Sequence, residues 1–269
     1  MPAKERDSAT LSYEKRFILF LDFLGFKQII EETTADPKRI SAVIDAIDII
    51  NEMGGKSGLH KSKMVTQFSD SIVISYRCDE PSAAFDLVSE IGFALVRLIE
   101  HGFLVRGAVA IGDLIHTEKY LLGPAMVEAY DLESKHAIFP RVLVSQGLLD
   151  VARDAPAGHH DGDEEANYIS GYLKEDADGH YYIDYLSWNA VVDTIGGDDH
   201  WFPEYLRRVA KLLEVGLKCE NEGIRSKYDW IYKQYLDQVK NIRNLPDDHD
   251  WVISNPDLHH DIKKLPLSF

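Results

Sequence analysis

Residues 17–26 read FILFLDFLGF. Phe17, Ile18, Leu19, Phe20, Leu21 and Phe23 leave no polar face, so the segment predicts a strand covered on both sides. One carboxylate, Asp22, interrupts the apolar run, and Gly25 follows shortly after. A carboxylate at the end of a buried strand is costly unless something pairs with it. The turn Phe23-Leu24-Gly25-Phe26 opens a helical stretch whose first N–H groups would lie beside that carboxylate. A metal ion together with a phosphate satisfies both features at once.

Outward from that strand, residues 26–34 and 37–53 carry helical spacing. Ile40, Val43, Ile44, Ile47 and Ile50 form one apolar stripe, with Asp36 as cap and Pro37 in the first turn. Gly54-Gly55-Lys56-Ser57-Gly58 lacks phosphate-loop spacing and reads as a connection. Residues 64–68 and 72–76 are apolar runs joined by Ser69-Asp70-Ser71, a hairpin with Asp70 at its tip. Residues 81–101 predict an amphipathic helix that Gly102 stops. FLVRGAVAIGDLI (residues 103–115) is a further buried strand carrying one cation, Arg106. Gly123-Pro124 starts the helix AMVEAYDLESK, and RVLVS at residues 141–145 is a short strand. The run His159-His160-Asp161-Gly162-Asp163-Glu164-Glu165 reads as a solvated loop before a metal site. YISGYLK and HYYIDYL predict a late hairpin on either side of EDADG. Residues 203–244 read as two helices, and the tail from Leu245 as an extended surface segment.

This order of elements predicts an α+β fold, a ferredoxin-like or palm-type sheet flanked by helices, with a C-terminal helical extension. The expected division is an arm at 1–14, a catalytic domain at 15–200 and the extension, packed on it, at 201–269. With 269 residues, 45% of them hydrophobic and 10% aromatic, the chain has enough apolar side chains for a full core. A formal charge of -16 argues against a nucleic-acid polymer as partner, though not against a small nucleotide. Cys78 and Cys219 stand in no metal-like spacing, which points to a reducing compartment. The start MPAKERDSATLSYEKR lacks a signal-peptide pattern, and no apolar run approaches the roughly 20 residues of a membrane helix. A cytoplasmic protein with no membrane partner is expected.

Asp22, Asp70 and Arg106 stand out as charged residues embedded in apolar strands or at the hairpin tip. In a palm-type sheet the first strand lies beside the hairpin, so the two aspartates share a face. Carboxylates that close repel unless divalent metal bridges them, and a metal pair suits in-line phosphoryl transfer. Arg106 is suited to hold phosphate bidentately.

FLDFLGF resembles the first metal-Asp motif of class III nucleotidyl cyclases, FxDxxGF, and TQFSDSIVIS resembles their second metal-Asp hairpin. LVRGAVAIGDL is similar to their RxGIxxG strand, and GPAMVEAYDLES to the helix that follows it. The resemblance covers residues 17–145 and implies two metal ions per site on Asp22, Asp70 and the Phe23 backbone carbonyl. It further implies Arg106 on the triphosphate and Leu24, Gly25 and Phe26 as the substrate-binding turn. Thr66 stands where adenylyl cyclases carry their adenine-reading lysine, and Tyr120 where they carry an adenine-reading acid. Val127 and Asp131 occupy the positions of the transition-state Asn and Arg, leaving Lys135 or Arg141 as replacement cations.

With FPR after that helix and a helical C-terminal extension, the pattern is most similar to the pyrimidine cyclases of the bacterial antiphage system Pycsar. That resemblance implies a manganese-dependent homodimer, with magnesium as the alternative ion, making cyclic UMP or cyclic CMP. The product would act on a separate cyclic-nucleotide-activated effector. A Thr66 hydroxyl both donates and accepts, which suits uracil and tolerates cytosine, so UTP is favoured on resemblance. The alternatives are a cytidylate cyclase or a catalytically silent nucleotide-binding regulator. A diguanylate cyclase is a third reading, for which the chain has no GGDEF-type segment. Tyr228, Trp230, Ile231, Tyr232 and Tyr235 read as core or dimer packing rather than a base-stacking platform.

Overall fold

In a computed structural model, which describes residues 11–53, 61–197 and 199–269, the apolar run is the inner strand of a mixed sheet. Residues 1–10 of the expected arm and the glycine cluster at 54–58 lie outside the described residues. The order begins β1 (Glu14–Phe23), α1 (Phe26–Ala35), α2 (Arg39–Asn51), β2 (Met64–Phe68), β3 (Ser71–Arg77) and α3 (Ala83–Glu100). It continues β4 (Val105–His116), β5 (Leu121–Leu122), α4 (Pro124–His136), β6 (Val142–Val144), α5 (Leu148–Asp154), α6 (Gly162–Ser170), β7 (Leu173–Glu175) and β8 (Tyr181–Ile183). Then follow α7 (Trp188–Thr194), α8 (Phe202–Gly216), α9 (Glu222–Arg243), α10 (Asp250–Ser254) and α11 (Pro256–Lys263).

The sheet has eight strands in the order β2-β3-β1-β4-β6-β8-β7, with β5 paired to β4. β1 runs antiparallel to both neighbours, β3 and β4, while β4 and β6 are parallel. The chain therefore crosses from β1 through α1 and α2 to β2, leaving a gap that β3 fills, which is the split βαβ arrangement.

Both faces of β1 are covered, as its composition requires. Phe17, Leu19, Leu21 and Phe23 enter the main core with Val43 and Ile50 of α2 and Val88 and Ile91 of α3. Ile18 and Phe20 point the other way and meet Val73, Ala110 and Leu114, closed over by Ala125 and Ala129 of α4. Phe17, Ile18 and Leu19 are fully buried, each contributing roughly 1.5–3 kcal/mol by transfer. α4 docks closely because Gly123 turns at φ 148°, where a Cβ would strike Asp113 O at 2.4 Å. Tyr205, Leu206 and Val209 of α8, Ile231 and Tyr235 of α9, and Ile262 of α11 all belong to the same main core.

The structure corrects four local expectations. β1 starts at Glu14, one residue inside the expected arm. On α2 the buried residues are Val43, Ala46 and Ile50, while Ile40 and Ile44 are exposed, because small Ala46 lets the helix settle with that narrower stripe inward. Residues 162–170 are helical. Asp161 accepts from Glu164 N at 2.9 Å and Glu164 from Asp161 N at 3.0 Å, a reciprocal cap that nucleates α6 and leaves shorter strands to the late hairpin. The tail forms α10 and α11 rather than an extended segment. His249 Nδ1 caps α10, Pro256 occupies the first turn of α11, and Leu258, Ile262 and Leu265 are buried. No helix among the described residues is long and apolar enough to cross a membrane.

Candidate active site

The sheet register puts Asp22 directly opposite Ser71 on β3 and opposite Arg106 on β4, so the three side chains share one face. Ser71 Oγ donates to Asp22 Oδ1 at 3.1 Å, and Arg106 Nε and Nη2 both lie 3.5 Å from Oδ2. The hairpin tip is tied to the end of β1 by Phe23 N donating to Asp70 O at 3.2 Å. Leu24 N donates to Leu104 O at 2.8 Å, fixing the same turn to the start of β4. Gly25, at φ 75°, then reverses the chain into α1, whose first turn has no side-chain cap and no acidic residue. The site is thus two aspartates, one guanidinium and a helix N-terminus, all positioned by backbone pairing.

Electrostatics mark the same place. Burial raises the Asp22 carboxyl above its ordinary range and Asp70 raises it further, while Arg106 and the Ser71 hydrogen bond act against both. Glu133 of α4 continues the inward row Ala125, Ala129 and lies 2.8 Å from Arg106 Nε. Burial raises the Glu133 carboxyl as well, opposed by Arg106 and reinforced by Asp22. From α9, Lys227 approaches closely enough to feel the same charges. Burial lowers its ammonium and Arg106 lowers it further, while Asp22 raises it. Lys227 also lines a cavity of about 350 Å3 beside the turn, with Leu24, Gly25, Gln28, Arg39 and Tyr228. Arg39 is already paired with Glu32.

Of the residues singled out from sequence, Asp22, Asp70, Arg106 and the turn from Phe23 to Phe26 come together. Lys135 instead pairs with Asp131 at 2.8 Å on the outer side of α4, and Val127 beside them is 63% exposed. Tyr120 sits exposed in the turn between β4 and β5, its N–H bonded to Thr117 Oγ1. Thr66 lies on β2 with its hydroxyl 2.8 Å from His116 Nε2. Arg141, the other replacement cation, is fully buried against Asp176, Asp178 and the His136 carbonyl, so it serves the interior. Sequence reading missed Ser71, Glu133 and Lys227. Glu133 had a legible signal, an acid at the third position of an i, i+4 row begun by Ala125 and Ala129, whereas Lys227 had none.

Among the described residues, no group of three or more His, Cys, Asp or Glu side chains is arranged to hold a metal ion alone. Asp22 and Asp70 nevertheless suit a divalent cation, because their repulsion and the burial of Asp22 are the costs such an ion relieves. Phosphate oxygens would complete its shell.

No protein-family model matches the chain, and no curated protein does. Among solved structures it is similar to the adenylyl cyclase CyaB from Pseudomonas aeruginosa, at 14% identity and a TM-score of 0.38, over 53% of this chain and 82% of that one. It is similar to a bacterial light-regulated adenylyl cyclase at 16% identity and a TM-score of 0.39, over 51% and 78% of the two chains. A class III adenylyl cyclase-like ATP-binding protein from Pseudomonas aeruginosa aligns at 12% identity and a TM-score of 0.36, over 62% of this chain and 44% of that one. Likeness at these values bears on neither activity nor substrate.

Proposed function

We propose that the chain is a nucleotide cyclase converting a pyrimidine ribonucleoside triphosphate, UTP before CTP, into its 3′,5′-cyclic monophosphate and pyrophosphate. The observation that carries this reading is Asp22 at the end of β1, with Asp70 across the hairpin, Arg106 opposite and the uncapped start of α1 beside it. In the reaction the ribose 3′-oxygen bonds to the α-phosphorus, the α-phosphorus–oxygen bond to pyrophosphate breaks, and the 3′-hydroxyl proton leaves to solvent. Arg106 and Lys227 supply cations for the triphosphate oxygens, and the N–H groups of the Gly25 turn supply neutral donors. Glu133 holds the Arg106 guanidinium in place from α4. Asp22, Asp70 and the Phe23 carbonyl would hold two divalent ions, manganese or alternatively magnesium, which would supply Lewis acidity to the phosphoryl transfer.

Thr66 is the base-contacting hydroxyl in this scheme, with Tyr120 as a further substrate-facing residue. Residues 15–200 carry the reaction and 201–269 form an extension that lends Lys227 to it. A second copy of the chain completes a homodimer, and the cyclic product acts on a separate effector in antiphage defence. Purified protein with manganese and each of the four ribonucleoside triphosphates tests the core of this: cyclic UMP is the expected main product. Dominant cyclic CMP moves the assignment to cytidylate cyclase, and a purine product removes the pyrimidine assignment. Nucleotide binding without any cyclic product makes the chain a silent regulatory domain.

A further inference from the structure

A hydrogen-bond chain crosses the sheet face that carries Asp22. Arg16 Nε donates to Ser75 Oγ at 3.0 Å, Ser75 Oγ is 2.8 Å from His116 Nδ1, and His116 Nε2 is 2.8 Å from Thr66 Oγ1. Arg16, Ser75 and His116 are buried, whereas Thr66 is partly open to solvent. Thr66 is paired with Val73, which packs with Ile18 and Phe20, and Asp22 follows Phe20 on the same side of β1. The last link of the chain therefore lies on the substrate side of the sheet.

The direction of every proton in the chain is determined. A guanidinium only donates, so Ser75 Oγ accepts from Arg16. Ser75 is fully buried, and among the described residues its one proton has one acceptor in reach, His116 Nδ1. Burial, and then the charge of Arg16, push the His116 imidazole down to about 4, so it is neutral. With Nδ1 accepting, Nε2 carries the proton and donates to Thr66 Oγ1. One of the two Thr66 lone pairs is thereby occupied, and its own proton remains available to a ligand. A chain anchored on a cation polarises each successive donor, which strengthens that last one.

We infer that Thr66 presents a fixed proton donor to the nucleobase, held in that polarity by His116, Ser75 and Arg16, so that the site selects a base with a carbonyl where cytosine carries an amino group. This rests on the cyclase reading, with Thr66 as the base contact. Uracil O4 accepts such a donor; the cytosine amino group only donates, so it is left with the second Thr66 lone pair and forgoes the strengthened donor, the weaker of the two pairings. A lone threonine is indifferent to the two bases, so discrimination comes from the positioning residue His116.

Two measurements test it. Nitrogen-15 NMR of the imidazoles in the full chain at pH 7, with His116 assigned by its loss in His116→Gln, should show a neutral ring protonated on Nε2. A ring protonated on Nδ1, or a cationic one, overturns the inference whatever the enzyme turns over. The second measurement is the ratio of kcat/KM for UTP over CTP. Thr66→Val and His116→Leu should each lower it roughly tenfold, the scale of one net hydrogen bond. His116→Gln, whose amide N–H still reaches Thr66, should keep it. Should His116→Leu fail to fold, Ser75→Ala serves the same arm by freeing the ring to change tautomer. A ratio that falls in Thr66→Val but holds in His116→Leu or Ser75→Ala sinks the relay and spares the base contact. A ratio that holds in Thr66→Val sinks the inference with the base contact itself. If the wild-type chain makes no cyclic product from any triphosphate, the cyclase reading fails, and the tautomer alone decides the relay.

Discussion

Asp22 is a carboxylate kept where a carboxylate is expensive. Its ordinary value is 3.8, and the fold raises it, by burial first and by Asp70 second. The folded chain thus binds the Asp22 proton more tightly than the unfolded chain, and stability falls as pH rises through the raised value, a loss still present at pH 7. Asp22→Asn removes that cost. The variant should melt roughly 1–3 °C higher than wild type at pH 7 without metal while losing turnover, and manganese should raise the melting temperature of wild type only. A variant that melts lower would mean that the bonds from Ser71 and Arg106 outweigh burial. His116 behaves oppositely. Its ordinary value is 6.5 and the fold lowers it to about 4, so the unfolded chain takes up the proton first as pH falls. The stability it contributes is complete above 6.5 and is lost between 6.5 and about 4. From pH 7.5 to 5 that amounts to about 2 kcal/mol. Unfolding free energies from urea titrations of wild type and His116→Gln should show wild type losing about 2 kcal/mol more between those two pH values, the remaining histidines being common to both.

At the scale of elements, what was legible from sequence followed from local chemistry. β1 declared itself by having no polar face, and β2–β3 by a polar tip between two apolar runs, so Asp22, Asp70 and Arg106 could be assigned to neighbouring strands. The tail departs from an extended segment because proline and acid also serve helix starts: Pro256 opens α11 and His249 caps α10. The α9 contribution was illegible for a different reason. Lys227 is one of several polar residues on an amphipathic helix far along the chain, and only the packing of α9 brings it beside Gly25 and within reach of Asp22. No spacing rule encodes such a contact. It makes a definite prediction: Lys227→Ala should raise KM for the triphosphate and lower kcat/KM by roughly 10–100-fold, with Lys227→Arg recovering most of it. Because Lys227 is only partly buried, the melting temperature should stay within about 2 °C of wild type. Unchanged steady-state kinetics would remove α9 from the site.

For the whole molecule, a formal charge of -16 would oppose the approach of the proposed tetra-anionic triphosphate to this surface. Within one chain Asp22 and Asp70 are balanced by Arg106 and Lys227, but Arg106 is shared with Glu133 and Lys135 is committed to Asp131. The cationic side of the site is therefore thin for a triphosphate. Phe68, Tyr120, Leu122, Val127 and Tyr130 are large apolar side chains left exposed on the hairpin, the β4–β5 turn, β5 and α4. Large exposed apolar groups suit a contact surface, and a second copy of this chain would cover them while bringing its own side chains to the boundary. Val127, at 63% exposure, tests this without touching the core. Val127→Glu should shift the mass in light scattering from dimer to monomer and reduce turnover by at least roughly tenfold. Its melting temperature, read at a concentration where wild type is also monomeric, should change by no more than about 1–2 °C. A variant that remains a fully active dimer would place the contact elsewhere, and a monomer with full turnover would mean that one chain holds the complete site.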